Sequence, residues 1–207
     1  MLHVGYLYRI AMLNRGESPL KDEGLLTEVA GAGKFSCTAD FSKIAECGAV
    51  PLAIQTSFLD KKVLLPDFTQ GRRNAGRYLM PGTLVVLGST ITAGMAGEIL
   101  EAESGLVAGE DFALAHAPGR VMVGRLLRNT REHDQVVGGV DEVSTARAVE
   151  LSSPVHPMAA TAAEVTKTAE NIFRGLQIAA VNQLALSFEA MAINFYACPG
   201  RRGVAQG

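Results

Sequence analysis

The sequence predicts an α/β chain, a parallel sheet with helices on both faces, followed by one long helix. Three observations lead there. Short uncharged apolar runs bounded by turn residues, such as AVPLAIQT (Ala49–Thr56) and TLVVLGST (Thr83–Thr90), have the look of buried strands. Helical stretches alternate with these runs, the pattern of a doubly covered parallel sheet. From Thr161 to Ile193 no proline occurs and Ala, Leu, Gln and Glu dominate, so one helix of roughly 50 Å is expected at about 1.5 Å per residue.

Taken in order, RIAMLN (Arg9–Asn14) reads as a short helix stopped at Gly16, and a brief helix is expected around Leu25–Ala30. KFSCT reads as a short strand, and Asp40 as the cap of a helix through Glu46. Ala49–Thr56 is a strand in which Pro51 is a flaw, because proline gives the ladder no N–H. Pro66–Met80 is weakly amphipathic and ends at Pro81–Gly82. After the strand Thr83–Thr90 come a helix at Met95–Ser104, the strand DFALAHAP, the strand Gln135–Val140 and a helix from Asp141 to about Ser152. Gly138–Gly139 reads as a strand-end turn. Thr161 and Glu164 form a capping box for the long helix. Ligands of such sheets sit beyond the carboxyl ends of the strands. That rule places Thr56, Thr90 and Gly119–Arg120 on one rim.

Composition narrows the class. In 207 residues, 48% are hydrophobic and 19% charged, with a net charge of -2; the pI is about 6.1 and the mean hydropathy +0.18. There is no basic patch for nucleic acid. Gln177, Asn182, Gln183 and Glu189 interrupt the apolar half of the long helix too often for a membrane span. Three cysteines without a CxxC spacing and a start without a signal sequence predict reduced thiols in a cytoplasmic protein. His3, His116, His133 and His156 lack metal-ligand spacing and read as surface or packing residues.

Several stretches, in order and at matching spacing, resemble the UDP-glucose/GDP-mannose dehydrogenase family, most closely its UDP-N-acetyl-mannosamine branch. They are RIAMLNRGESPL, AIQTSF, PGTLVVLGST, SGLVAGEDFALAHAP, VVGGVDEVSTARAVEL and AAEVTKTAENIFRGLQIAAVNQLA. The resemblance implies a Rossmann-like NAD domain followed by a central helical region. It implies NAD-dependent oxidation of a nucleotide sugar's primary alcohol to a carboxylate, in two hydride transfers through a cysteine-bound thiohemiacetal and thioester. Lys167 and Asn171 match the Lys-x-x-x-Asn pair, whose ammonium and amide stabilise a developing oxyanion facing the rim that carries Thr90. Ser89 and Thr90 match the Ser-Thr motif and are implied to bind the cofactor, with Thr90 also positioning water. Gln55, Thr56 and Ser57 match the loop passing along NAD, where the family usually has proline in place of Ser57. Arg9 resembles the arginine approaching the adenosine end. Gly119 and Arg120 fall on the substrate motif.

The departures are specific. No Gly-x-Gly-x-x-Gly phosphate loop occurs in the chain, Val4 stands where a ribose-binding carboxylate is expected, and Pro118-Gly119-Arg120 replaces Pro-Glu-Arg. No Gly-Gly-x-Cys occurs, and Cys198 lacks its context. The sequence therefore predicts a truncated family member. Residues 1–160 form a partial NAD-binding domain without its first strand and glycine loop, and residues 161–207 start a central, dimerising helical domain. Turnover by this chain alone is not expected. Without the resemblance, Lys167 and Asn171 would read as solvated residues on the first turns of a helix. A non-catalytic remnant associating as a homodimer through its long apolar helix is the competing reading.

Overall fold

The structure is a computed structural model that describes residues 4–17, 33–54, 57–59, 62–64, 66–90, 97–119, 132, 134–151 and 155–197. Helix α1 (Val4–Asn14) leads through a 3-10 helix, Phe41–Glu46, into β1 (Ala49–Leu52). Then come the hairpin strands β2 (Ser57–Leu59) and β3 (Lys62–Leu64), α2 (Pro66–Gly76), β4 (Leu84–Leu87), α3 (Glu98–Ser104) and β5 (Ala113–His116). Then follow β6 (Gln135–Gly139), α4 (Glu142–Val149), β7 (Val155–Ala159), α5 (Ala160–Ala190) and a 3-10 helix, Phe195–Ala197. The chain divides into two compact units, Met1–Glu164 and Val165–Gly207.

In the first unit a five-stranded sheet runs in the order β1-β4-β5-β6-β7. Alternation along β4 and β5 sorts the core into two layers. Val85, Leu87 and Leu114 face Ala75, Leu79 and Leu100, from α2, the turn after it and α3. Leu84, Ala113 and Ala115 face the other way, onto Ala148 of α4. The sheet is thus covered on both faces, as uncharged strands demand. On the inner face of α2, Arg72, Ala75 and Leu79 are buried at helical spacing. Exposed ion pairs from Arg73 and Arg77 to Glu103, at 3.2 and 3.4 Å, join α2 to α3.

β1, β4 and β5 are mutually parallel. β6 runs antiparallel to β5, pairing only Ala115 with Gly139 and His116 with Gly138, and β7 is parallel to β6. The sheet is therefore mostly, not wholly, parallel. Side chains of α4 complete the short antiparallel joint. Leu114 N–H donates to the Ser144 hydroxyl (3.2 Å), Gly139 N–H donates to Thr145 Oγ1 (2.9 Å), and Asp141 caps the helix by accepting from Ser144 N–H at 2.6 Å.

Several expectations are corrected. Gly138–Gly139 lies within β6 and is no turn. Glycine is required there because a Cβ on Gly139 would overlap the Thr145 amide nitrogen, and one on Gly138 the Ala159 carbonyl. Pro51 is no flaw. In β1, Gly48 and Leu52 turn their carbonyls to β4, accepting from Leu84 N–H and Gly88 N–H at 3.0 and 2.9 Å. The alternate residue, Pro51, therefore aims its missing donor away from the ladder. Lys34–Thr38 forms no strand, and VHPMA is β7, paired along Gln135–Gly139. α5 begins at Ala160, which puts Thr161 inside the first turn instead of ahead of it. The helix expected around Leu25–Ala30 lies outside the described residues.

The second unit consists mainly of α5 beyond Glu164. Its apolar side chains are exposed within this chain, Phe173 at 65% and Leu176 at 64%. Among the described residues no helix is long and apolar enough to cross a membrane.

The α4–β6 contact yields a stability test. Gly139→Ala places a methyl on backbone that no rotamer change can move, and is expected to cost about 1–3 kcal/mol. Gly48→Ala, with nothing within 4 Å of the new Cβ, should stay within about 0.5 kcal/mol of the parent. Thermal melts of the two variants check the contrast.

Candidate functional site

Three parallel strands end together, and their backbones are joined just past the ladder. Gly88 N–H donates to Leu52 C=O at 2.9 Å, Ala117 N–H to Leu87 C=O at 2.9 Å, and Gly119 N–H to Gly88 C=O at 3.2 Å. This rim is the carboxyl edge of β1, β4 and β5, where open α/β sheets take ligands. Ser89, 8% exposed, accepts from Ile54 N–H at 2.9 Å and donates to Ile54 C=O at 2.6 Å. Thr90 follows it, half-buried, and Gly119 is exposed.

Of the residues singled out in the sequence, the structure brings Ser89, Thr90 and Gly119 to this rim. Gln55, Thr56 and Arg120 lie outside the described residues, and Ser57 begins β2. Arg9 is exposed on α1. Lys167, half-buried, and Asn171, exposed, belong to the second unit and stand one turn apart on α5, hence on one face of it. Cys37 and Cys47 are free thiols, and Cys198 lies outside the described residues.

Two buried polar residues in the first unit escape a reading by motif. Arg72 is fully buried on α2, where burial pulls its guanidinium below the ordinary value and Glu98 opposes the shift. His116, 1% exposed, closes β5, and strand alternation puts it on the Leu114 side of the sheet. Neither of its ring nitrogens has a hydrogen-bond partner, and burial pushes it down to about 4 from 6.5. It is therefore neutral at physiological pH. The only hint of it in sequence is a lone histidine inside an otherwise apolar strand. Among the described residues no cluster of His, Cys, Asp or Glu suits a metal ion. A separate cleft of about 420 Å³, lined by Gly97, Glu98, Glu101, Gly139, Thr161 and Glu164 among others, includes no rim residue.

The sequence model described as "UDP-glucose/GDP-mannose dehydrogenase family, NAD binding domain" matches residues 7–156. The chain belongs to this family. A UDP-N-acetyl-D-mannosamine dehydrogenase of Pyrococcus horikoshii is 30% identical over 93% of this chain and 50% of its own length. The chain spans about half the length of the curated relatives it matches. Among solved structures, an NDP-N-acetyl-D-galactosaminuronic acid dehydrogenase from Methanosarcina mazei Go1 is 61% identical, with a TM-score of 0.80 over 97% of this chain and 46% of that one. The ternary complex of GDP-mannose dehydrogenase from Pseudomonas aeruginosa, at 20% identity and a TM-score of 0.82, shares the fold.

Within this UDP-glucose/GDP-mannose dehydrogenase domain, the matched segment takes in the whole rim: Ile54, Ser89, Thr90, His116 and Gly119 all fall inside residues 7–156. His116 gives the domain a pH dependence of known sign. The unfolded chain binds a proton there below about 6.5, the folded one only near 4. Folding stability is then expected to fall by about 3 kcal/mol as pH drops through that window, and to gain nothing from this group above it. Denaturant titrations of the parent and of His116→Leu across pH 4 to 7 check it; the variant should lose most of that slope.

Proposed function

We propose that this chain supplies the cofactor rim and the oxyanion-stabilising pair of an NAD-dependent nucleotide-sugar 6-dehydrogenase. Its substrate is a UDP-N-acetylhexosamine of the UDP-N-acetylmannosamine kind, oxidised to the uronic acid for polysaccharide biosynthesis in the cytoplasm. The observation that supports this best is the ordered rim of the family's NAD-binding domain, with Thr90 half-buried directly after β4. NAD, when bound, accepts hydride. Conversion of the alcohol to the carboxylate consumes one water and two NAD and releases two NADH and three protons. In this reading Thr90 orients water beside the cofactor, Gln55, Thr56 and Ser57 line its path, and Arg9 serves its adenosine end. Gly119 and Arg120 border the sugar. Lys167 and Asn171 present an ammonium and an amide to the oxyanion, donors fixed in advance by one helical turn.

The cofactor fits the rim in part. Three strand ends converge there without a buried carboxylate among the described rim residues, while the glycine loop that would receive a pyrophosphate does not occur in these 207 residues. A Gly-Gly-x-Cys thiol is also missing from them, so the chain by itself should not turn over. Purified chain with NAD and either UDP-N-acetylmannosamine or UDP-N-acetylgalactosamine is expected to give no NADH. A chimera in which it replaces the matching half of the 61%-identical Methanosarcina mazei enzyme is expected to give NADH with one of the two. Lys167→Ala in that chimera should cost at least about 10²-fold in kcat. A folded chimera that oxidises neither sugar, or ignores Lys167→Ala, refutes the assignment.

A second reading is supported by the exposed apolar side chains of α5, including Ile172, Phe173, Leu176 and Leu186. Continuous apolar surface on this scale marks a partner face, and the occupant we propose is α5 of a second copy. Light scattering should report a dimer that Phe173→Glu with Leu176→Glu converts to monomer. A parent that stays monomeric at high concentration removes this reading.

A further inference from the structure

Ile54 is the last described residue before Gln55–Thr56, and it lies two residues beyond the end of β1. Its N–H and C=O have no strand partner there, yet one side chain serves both. Ser89 Oγ accepts from the N–H at 2.9 Å and donates to the C=O at 2.6 Å, across 35 positions of sequence. A hydroxyl has one donor and two acceptor sites, so this pair uses its only proton. The same residue is held from the other side. A Cβ on Gly71 of α2 would lie 2.5 Å from Ile54 Cδ1, so helix and side chain meet closely there. Ser89 is 8% exposed, so the clasp is largely shielded on the serine's side.

We propose that Ser89 is a positioning residue. Its hydroxyl clasps the Ile54 backbone and so fixes Ile54 to the chain entering Thr90, at the rim that meets the cofactor. The cofactor half of this statement rests on the dehydrogenase reading above; the clasp itself does not. Ser89→Ala deletes the donor and the acceptor together and leaves both Ile54 groups without their partner, which frees the segment from the chain after β4. Ser89→Thr keeps the hydroxyl and restores the clasp.

Amide hydrogen exchange and NAD titration on the purified chain test the two halves separately. In the parent, Ile54 N–H should exchange at least about tenfold more slowly than an open amide. In Ser89→Ala that protection should vanish while the amides of Val85 and Leu114, inside the sheet, keep theirs, and Ser89→Thr should recover it. An unprotected Ile54 amide in the parent overturns the clasp whatever the variants do. NAD affinity should fall about tenfold in Ser89→Ala and return in Ser89→Thr with the sheet amides unchanged, a split that a merely stabilising serine would not give. Unchanged NAD affinity in Ser89→Ala overturns the positioning role. A parent that protects Ile54 yet binds no NAD overturns the cofactor reading and leaves the clasp standing.

Discussion

Parallel strands run out of partners at their carboxyl ends, and this structure turns on how those last backbone groups are satisfied. β1, β4 and β5 stop within one or two residues of a common edge. Gly88 stands at the centre of that edge: its N–H reaches back to Leu52 and its carbonyl receives Gly119. The following residue, Ser89, substitutes a hydroxyl for the ladder bonds that β1 can no longer make. Each amide or carbonyl paired in this way is one fewer polar group left without a partner at the edge of the core. Ile54, Ser89 and Gly119 are thereby tied into one hydrogen-bonded edge.

The other half of the sheet solves a different problem. Because β6 reverses direction, β5 gains only two paired residues before the ladder ends at Gly139. The shortfall is met from the next helix. Ser144 accepts from Leu114 N–H and Thr145 from Gly139 N–H, while Asp141 anchors the start of α4. These three side chains come from one five-residue stretch, DEVST, plainly visible in sequence as a helix start; Ser144 and Thr145 serve donors that the antiparallel joint would strand, and Asp141 serves the helix end itself. Close approach is the condition for all of it, which is why the ladder ends in two glycines.

Much of this architecture could be read from residues alone, because it follows local rules. Uncharged runs gave β4, β5 and β6, Asp40 and Asp141 marked helix starts, and the long proline-free stretch gave α5. What escaped is what depends on neighbours. Nothing in VHPMA announces that it pairs with β6, since its strand character is lent by Gln135–Gly139. Pro51 looks disruptive until the pairing shows which edge it faces. The apolar half of α5 predicts a covering surface, and this chain leaves it exposed. At the site, the strand-end rule pointed to the rim through Thr90 and Gly119, whereas the depth at which His116 and Arg72 are buried is a tertiary fact that no motif announces.

Ser89 and Thr90 carry the same argument into the chemistry. A motif treats two adjacent hydroxyls as equivalent members of one cofactor-binding pair. Their surroundings differ, since Ser89 is buried and Thr90 half-buried. Hydrogen-bond capacity decides which one is spent: Ser89 is buried with its single proton given to Ile54 C=O, so it has none to offer a nucleotide. The hydroxyl that can still meet a ligand is that of Thr90, half-buried and one residue farther along the rim. Two hydroxyls that a motif pairs are thus unequal in what their surroundings leave them to offer.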